Sequence, residues 1–158
     1  MSKFRSSNPE HTLQEDWVEI HPYSTELVDG NDAVALYKYL PKGTLSVVAL
    51  LDVLDAGTLV GDELDVFVQT EMPSNGINQW LDVIHFNKVL GNGADDFREY
   101  GKVTCVAACA MFETVAGAAL AAAAVRNILG RRWRTRWEIV DGGGTHSFEF
   151  SVNLYPQG

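Results

Sequence analysis

Four histidines (His11, His21, His85 and His146) and two cysteines (Cys105 and Cys109) are the residues of this 158-residue chain best suited to hold a metal or move a proton. The histidines are dispersed and form no metal-spaced pair, so each is expected to be a surface or packing residue. The cysteines stand four apart in Lys102-Val-Thr-Cys-Val-Ala-Ala-Cys-Ala-Met. Neither a strand nor a helix would bring their sulfurs into disulfide geometry. Zinc needs four ligands, and no second pair stands at ligand spacing, so both are expected to be small core residues. No nucleophile elbow, P-loop or dinucleotide fingerprint is present. Asp141-Gly-Gly-Gly-Thr145 is glycine-rich but has no helix behind it to aim amides at a phosphate, and reads as a hairpin loop. Gly61-Asp-Glu-Leu-Asp65 lacks the ligand density of a calcium site and reads as a solvated loop. The expectation is a chain with no catalytic residue and no cofactor, which acts by presenting surfaces to other proteins.

One charge feature stands out. Five of the twelve basic residues (Arg126, Arg131, Arg132, Arg134 and Arg136) fall within eleven positions of a protein of net charge −9. Two readings fit equally. The arginines form a solvated sheet face paired with Glu138 and Glu149 across a hairpin. Alternatively, Arg131, Arg132, Arg134 and Arg136 form a contact patch for an acidic partner, using the planar, multi-donor guanidinium head. The overall negative charge repels phosphates and anionic membranes, so neither nucleic acid nor a membrane is an expected partner.

The elements that must position these residues are strands. Trp17 onward shows short apolar runs separated by turn signals, the pattern of a sandwich or barrel. Ala33–Tyr39 is a weak strand, Thr44–Leu54 a strong one, and Glu63–Thr70 alternates with Leu64, Val66 and Val68 on one face. Trp80–Leu90 is expected to partner it after the turn Pro73-Ser-Asn-Gly76. In 132–140, Trp133, Thr135, Trp137 and Ile139 share a face opposite the arginines. In 146–154, Phe148, Phe150, Val152 and Leu154 point in. Joined by a glycine loop, these two segments read as an antiparallel hairpin with an aromatic core face.

The stretch Val103–Val125 has the length of a membrane span, but it is carried by alanine and has Glu113 at its midpoint. That carboxylate would cost about 3 kcal/mol, so the stretch reads as a buried soluble segment. Within it and beyond, 116–129 has the propensity of one short helix ending at Gly130, or is a tightly packed extended connection. The N-terminus lacks the apolar region of a signal peptide. Residues 1–16 are polar and aperiodic, and read as an extended arm ahead of a single domain over 17–158. Its sizeable apolar side chains, Phe4 and Leu13, are too few to nucleate a fold, so they are expected to anchor the arm on another chain.

The fold class that follows is all-β, an antiparallel β-sandwich or jelly roll. Arg126-Asn-Ile-Leu-Gly-Arg-Arg-Trp-Arg-Thr-Arg-Trp-Glu-Ile, the glycine loop and Ser147-Phe-Glu-Phe-Ser-Val152 resemble the end of a family of small β-rich structural proteins of tailed phages. Upstream, Glu63-Leu-Asp-Val-Phe-Val-Gln-Thr70 and Trp80-Leu-Asp-Val-Ile-His-Phe86 are similar to the same pattern, and the likeness covers roughly residues 45–154. The Ala-rich segment and the long polar N-terminus depart from it. The resemblance implies a virion protein made in the host cytoplasm and placed on the capsid surface as a multi-copy decoration, or cement, protein. Its implied partners are the major capsid protein and neighbouring copies of itself, in a homo-oligomer such as a trimer. It brings no catalytic residues. The competing expectation is a tail- or fibre-associated module that recognises a glycan or receptor, which an exposed aromatic platform would favour.

Overall fold

The computed structural model describes residues 18–32, 38–57, 60–72, 79–91, 97–105, 120–130, 132–140, 142–143 and 147–158. The arm over 1–16, with Phe4 and Leu13, lies outside them, as do Arg131, His11, His146 and Cys109. Eleven strands are described: β1 (Val18–Glu26), β2 (Gly30–Asn31), β3 (Lys38–Tyr39), β4 (Ser46–Asp55), β5 (Glu63–Met72), β6 (Gln79–His85), β7 (Val89–Leu90), β8 (Phe97–Thr104), β9 (Ala124–Val125), β10 (Arg132–Val140) and β11 (Phe148–Gln157). They form two antiparallel sheets. The first has the order β1-β11-β4-β8, the second β2-β10-β5-β6-β9, with β3 also on β10 and β7 also on β5. Taken in chain order, β1, the short β2 and β3, β4, β5, β6, β8, β10 and β11 alternate between the sheets apart from the β5–β6 hairpin, which gives the winding of a jelly roll.

Alternation explains the layering. β10 turns Trp133, Thr135 and Trp137 inward, and β11 turns Phe148, Phe150, Val152 and Leu154 inward, all buried. Val47, Ala49, Leu51 and Val53 of β4 and Leu64, Val66 and Val68 of β5 complete the slab. Each large aliphatic or aromatic side chain removed from water there contributes about 1.5–3 kcal/mol. Two glycines are fitted to it. A Cβ on Gly30 would stand 2.5 Å from the Trp137 ring, and one on Gly101 2.9 Å from Ile84 of the opposite sheet.

The structure corrects several expectations. β10 and β11 are not a hairpin: β10 pairs with β5, and β11 with β1 and β4. The glycine-rich connection instead carries the chain from one sheet to the other, so the two aromatic faces meet across the core, with Trp137 and Phe150 edge to face at 5.9 Å. Glu149 therefore lies on the sheet opposite the arginines. Of 116–129, expected as one short helix or an extended connection, residues 116–119 lie outside the described residues, and from Leu120 onward the chain is a turn and a short strand rather than a helix. Ala123 has φ of 57°, Ala124 and Val125 pair with β6, and the Arg126 N–H donates to the Val83 carbonyl at 2.8 Å. Sheet pairing has taken the backbone groups a helix would use, overriding alanine's propensity. Among the described residues there is no helix, hence none long and apolar enough to cross a membrane.

Further differences are local. The expected strand 80–90 is two, β6 and β7, which pair with different parts of β5. Of 33–39, only Lys38–Tyr39 is a described strand. Cys105, expected in the core, is exposed just past the end of β8. Asp62 is buried rather than solvated, and its carboxylate accepts the Gly142 N–H at 2.8 Å, pinning the two inter-sheet connections together.

Candidate interaction surface

The register of β10, β5 and β6 turns three sequence alternations into one lattice on the outer face of the second sheet. Arg132, Glu71 and Trp80 form one cross-strand row; Arg134, Gln69 and Asp82 the next; then Arg136, Phe67 and His85; then Glu138 and Asp65. Arg132 places Nε and Nη2 on the two carboxylate oxygens of Glu71, each at 2.5 Å, the forked geometry that fixes a guanidinium plane. Arg134 donates from Nε to the Gln69 amide oxygen at 2.7 Å and from Nη1 to Asn31 at 3.1 Å. Arg136 donates to Asp82 at 3.2 Å and to Glu138. Gln69 donates its amide N–H to Asp82 at 2.7 Å within its own row, and the Arg136–Asp82 contact links that row to the next.

Aromatic rings support the guanidinium groups. Arg134 lies 4.3 Å and Arg132 5.8 Å from the Trp80 ring centre, and Arg136 lies 3.8 Å over Phe67. Phe67 in turn stacks on His85 at 4.0 Å. His85 is held by Asp65 at 2.8 Å and by the Leu120 carbonyl at 2.7 Å, which draws the Ala-rich segment onto this face. Arg126 joins from the same segment by donating to the Asp82 carbonyl at 3.1 Å.

Sequence alternation had placed Arg132, Arg134 and Arg136 on one face, and they share it. It did not reveal their partners. Trp80, Asp82, Gln69 and Glu71 enter through register, which no single strand encodes. Phe67 was the available signal, an aromatic residue on the polar side of an otherwise clean alternation. The three guanidiniums face four carboxylates, those of Asp65, Glu71, Asp82 and Glu138, so the surface is charge-balanced rather than a bare cationic patch. What it presents to solvent are the partly exposed Trp80, Arg132, Arg134 and Arg136 side chains held in fixed positions, with Phe67 and His85 buried beneath them; Trp and Arg are the residue types that dominate binding hot spots.

A second cluster has the connectivity of a nucleophilic relay. His21 Nδ1 is 2.9 Å from Asp32, and His21 Nε2 is 3.1 Å from the Ser24 hydroxyl. Its surroundings make it a brace. The Ser24 hydroxyl also lies 2.7 Å from the Glu26 carboxylate, a negative charge placed where attack would build an oxyanion. The His21 ring is buried, stacked on Phe150 at 4.5 Å and against Trp137 at 4.7 Å. Asp32 also accepts the Thr135 N–H at 2.8 Å, so the cluster ties β1 to β10 across the sandwich. The sequence expectation that His21 and His85 are packing residues agrees with these positions. Among the described residues no cluster of three or more His, Cys, Asp or Glu is arranged to hold a metal ion.

No protein-family model, curated protein sequence or solved structure matches the chain.

Proposed function

We propose that this chain is a structural virion protein of a tailed phage, a multi-copy capsid decoration protein. In this reading it binds the major capsid shell through the outer face of its second sheet and contacts neighbouring copies of itself. The observation that carries the reading is the lattice of Arg132, Arg134, Arg136, Trp80 and Phe67, rigid before any partner arrives. Preorganised side chains lose little rotamer freedom on docking, so more of the contact energy appears as affinity. Two further points support it. The sequence resemblance over roughly residues 45–154 is to proteins of this kind, and jelly rolls are a recurrent architecture of capsid domains. A net charge of −9 also keeps a protein displayed at high local density away from packaged nucleic acid.

The test uses Arg134→Gln and Trp80→Ala. Among the described residues Arg134 hydrogen-bonds two neutral amides, so Arg134→Gln orphans none of the carboxylates named above. Both variants should keep the wild-type circular dichroism spectrum and lose at least about tenfold in affinity for purified shells, equivalent to about 1.4 kcal/mol. Because the lattice is charge-balanced, wild-type binding should depend only weakly on salt. Wild-type occupancy by both variants would remove this face from the interface.

A further inference from the structure

The outer face of the first sheet carries a different composition. Its cross-strand rows are Ser151, Asp52 and Arg98; Asn153, Leu50 and Tyr100; and Tyr155, Val48 and Lys102. Side chains on the solvent side of a sheet are ordinarily exposed, yet Ser151 is 0% and Asn153 4% exposed. Tyr23 accounts for the cover of Ser151. Tyr23 stands on β1, and its hydroxyl donates to Asp52 on β4, two strands away, a lateral distance of about 10 Å. Its ring must therefore lie across β11, over Ser151. That ring is still 45% exposed, and Tyr100 at the far side of the sheet is 65% exposed. Burial, followed by the Tyr100 phenol, raises the Tyr155 phenol above its usual pKa. Asp52 is held between Tyr23 and Arg98, whose Nε donates at 3.0 Å. The Arg98 side chain is 54% exposed, and its two terminal nitrogens have no hydrogen-bond partner among the described residues.

We propose that this face is a saccharide-binding site, with Tyr23 and Tyr100 as stacking platforms and the Asp52–Arg98 pair as the hydroxyl-recognising group. A pyranose ring has an apolar C–H face and a rim of hydroxyls that both donate and accept. The sheet offers the complement: aromatic surface beside a fixed acceptor and a planar donor fork. Charge narrows the occupant. Glu19, Asp52, Asp55 and Glu149 stand against Arg98 and Lys102 on this face, a net acidic surface that disfavours nucleic acid and anionic lipid. The strands that carry the platforms, β1 and β8, stand at opposite edges of the sheet, three strand spacings or about 14 Å apart, so the site suits a chain of sugars rather than a single ring. This inference does not depend on capsid binding, because it uses the opposite sheet.

The experiment screens the full chain on an array of bacterial surface polysaccharides and soluble oligosaccharides, followed by isothermal titration of the strongest binder. At least one glycan should bind, with saturation transfer from tyrosine ring protons. Tyr23→Ala and Tyr100→Ala should each weaken binding about tenfold or more, while Tyr23→Phe keeps the platform and stays within about threefold. Retention on shells should be unchanged in all three, which separates this site from the lattice of the second sheet. Silence across the array overturns the proposal, as does binding that ignores both alanine substitutions. Tyr100→Ala converting a self-associated species to monomer, with no glycan bound, would assign the face to a second copy instead.

Discussion

Replacing Trp137 by alanine should cost about 3–5 kcal/mol, the range for truncating a large buried aromatic. The side chain is buried between the sheets, under Gly30, against His21 at 4.7 Å and Phe150 at 5.9 Å. Removing roughly 200 Å² of apolar burial at about 25 cal/mol/Å² amounts to about 5 kcal/mol, before the walls relax into the space. Its Nε1 also donates to the Val28 carbonyl at 2.9 Å, but Val28 is 70% exposed, so that oxygen rehydrates and the bond contributes only about 1 kcal/mol. Trp137→Phe should keep the edge-to-face contact and lose about 1–2 kcal/mol, which guards against an alanine variant too unstable to measure. Equilibrium urea unfolding followed by far-ultraviolet circular dichroism reads both. A loss below about 1 kcal/mol for alanine, with unchanged slope, would refute the view that Trp137 is the keystone between the sheets.

Three other substitutions probe separate parts of the account. Asp32→Ala strands the buried His21 ring and the Thr135 N–H together, and should lower stability by about 3–5 kcal/mol in the same titration. Thr135→Val should do the reverse: the Thr135 hydroxyl is buried without a hydrogen-bond partner, so an isosteric methyl should raise stability by about 1 kcal/mol. Burial, followed by the Asp52 carboxylate, raises the Tyr23 phenol above its ordinary 10.0. The fold favours the neutral phenol, so its stabilisation is complete below pH 10.0 and is lost as pH rises through the raised value. Ultraviolet titration should show Tyr23 and Tyr155 both ionising late, with one of the two late components lost in Tyr23→Phe; a late component undiminished by that substitution would contradict the Tyr23–Asp52 contact.

The inward faces of β5, β10 and β11 were legible because alternation reports burial directly: Leu64, Val66, Trp133, Trp137, Phe148 and Phe150 all lie where period two placed them. Pairing was not legible. A glycine loop between two amphipathic strands fits a hairpin and an inter-sheet connection equally well, and only the opposing aromatic layers decide between them. β1 was obscured by Pro22 and by two register shifts against β11, which place Ile20 and His21, neighbours in sequence, both in the interior. β8 was obscured by Gly101, an interior position emptied to admit Ile84 from the other sheet. The arginine lattice was half legible. Its β10 edge could be read from spacing, whereas Trp80, Asp82 and Glu71 meet it only through tertiary register.

The central claim, that the chain decorates a capsid shell, is tested most directly by its copy number in purified virions. Quantitative mass spectrometry against the major capsid protein should find hundreds of copies per particle, in a fixed ratio to shell subunits. A handful of copies would place the protein at a tail or connector, and its absence from the particle would contradict the account.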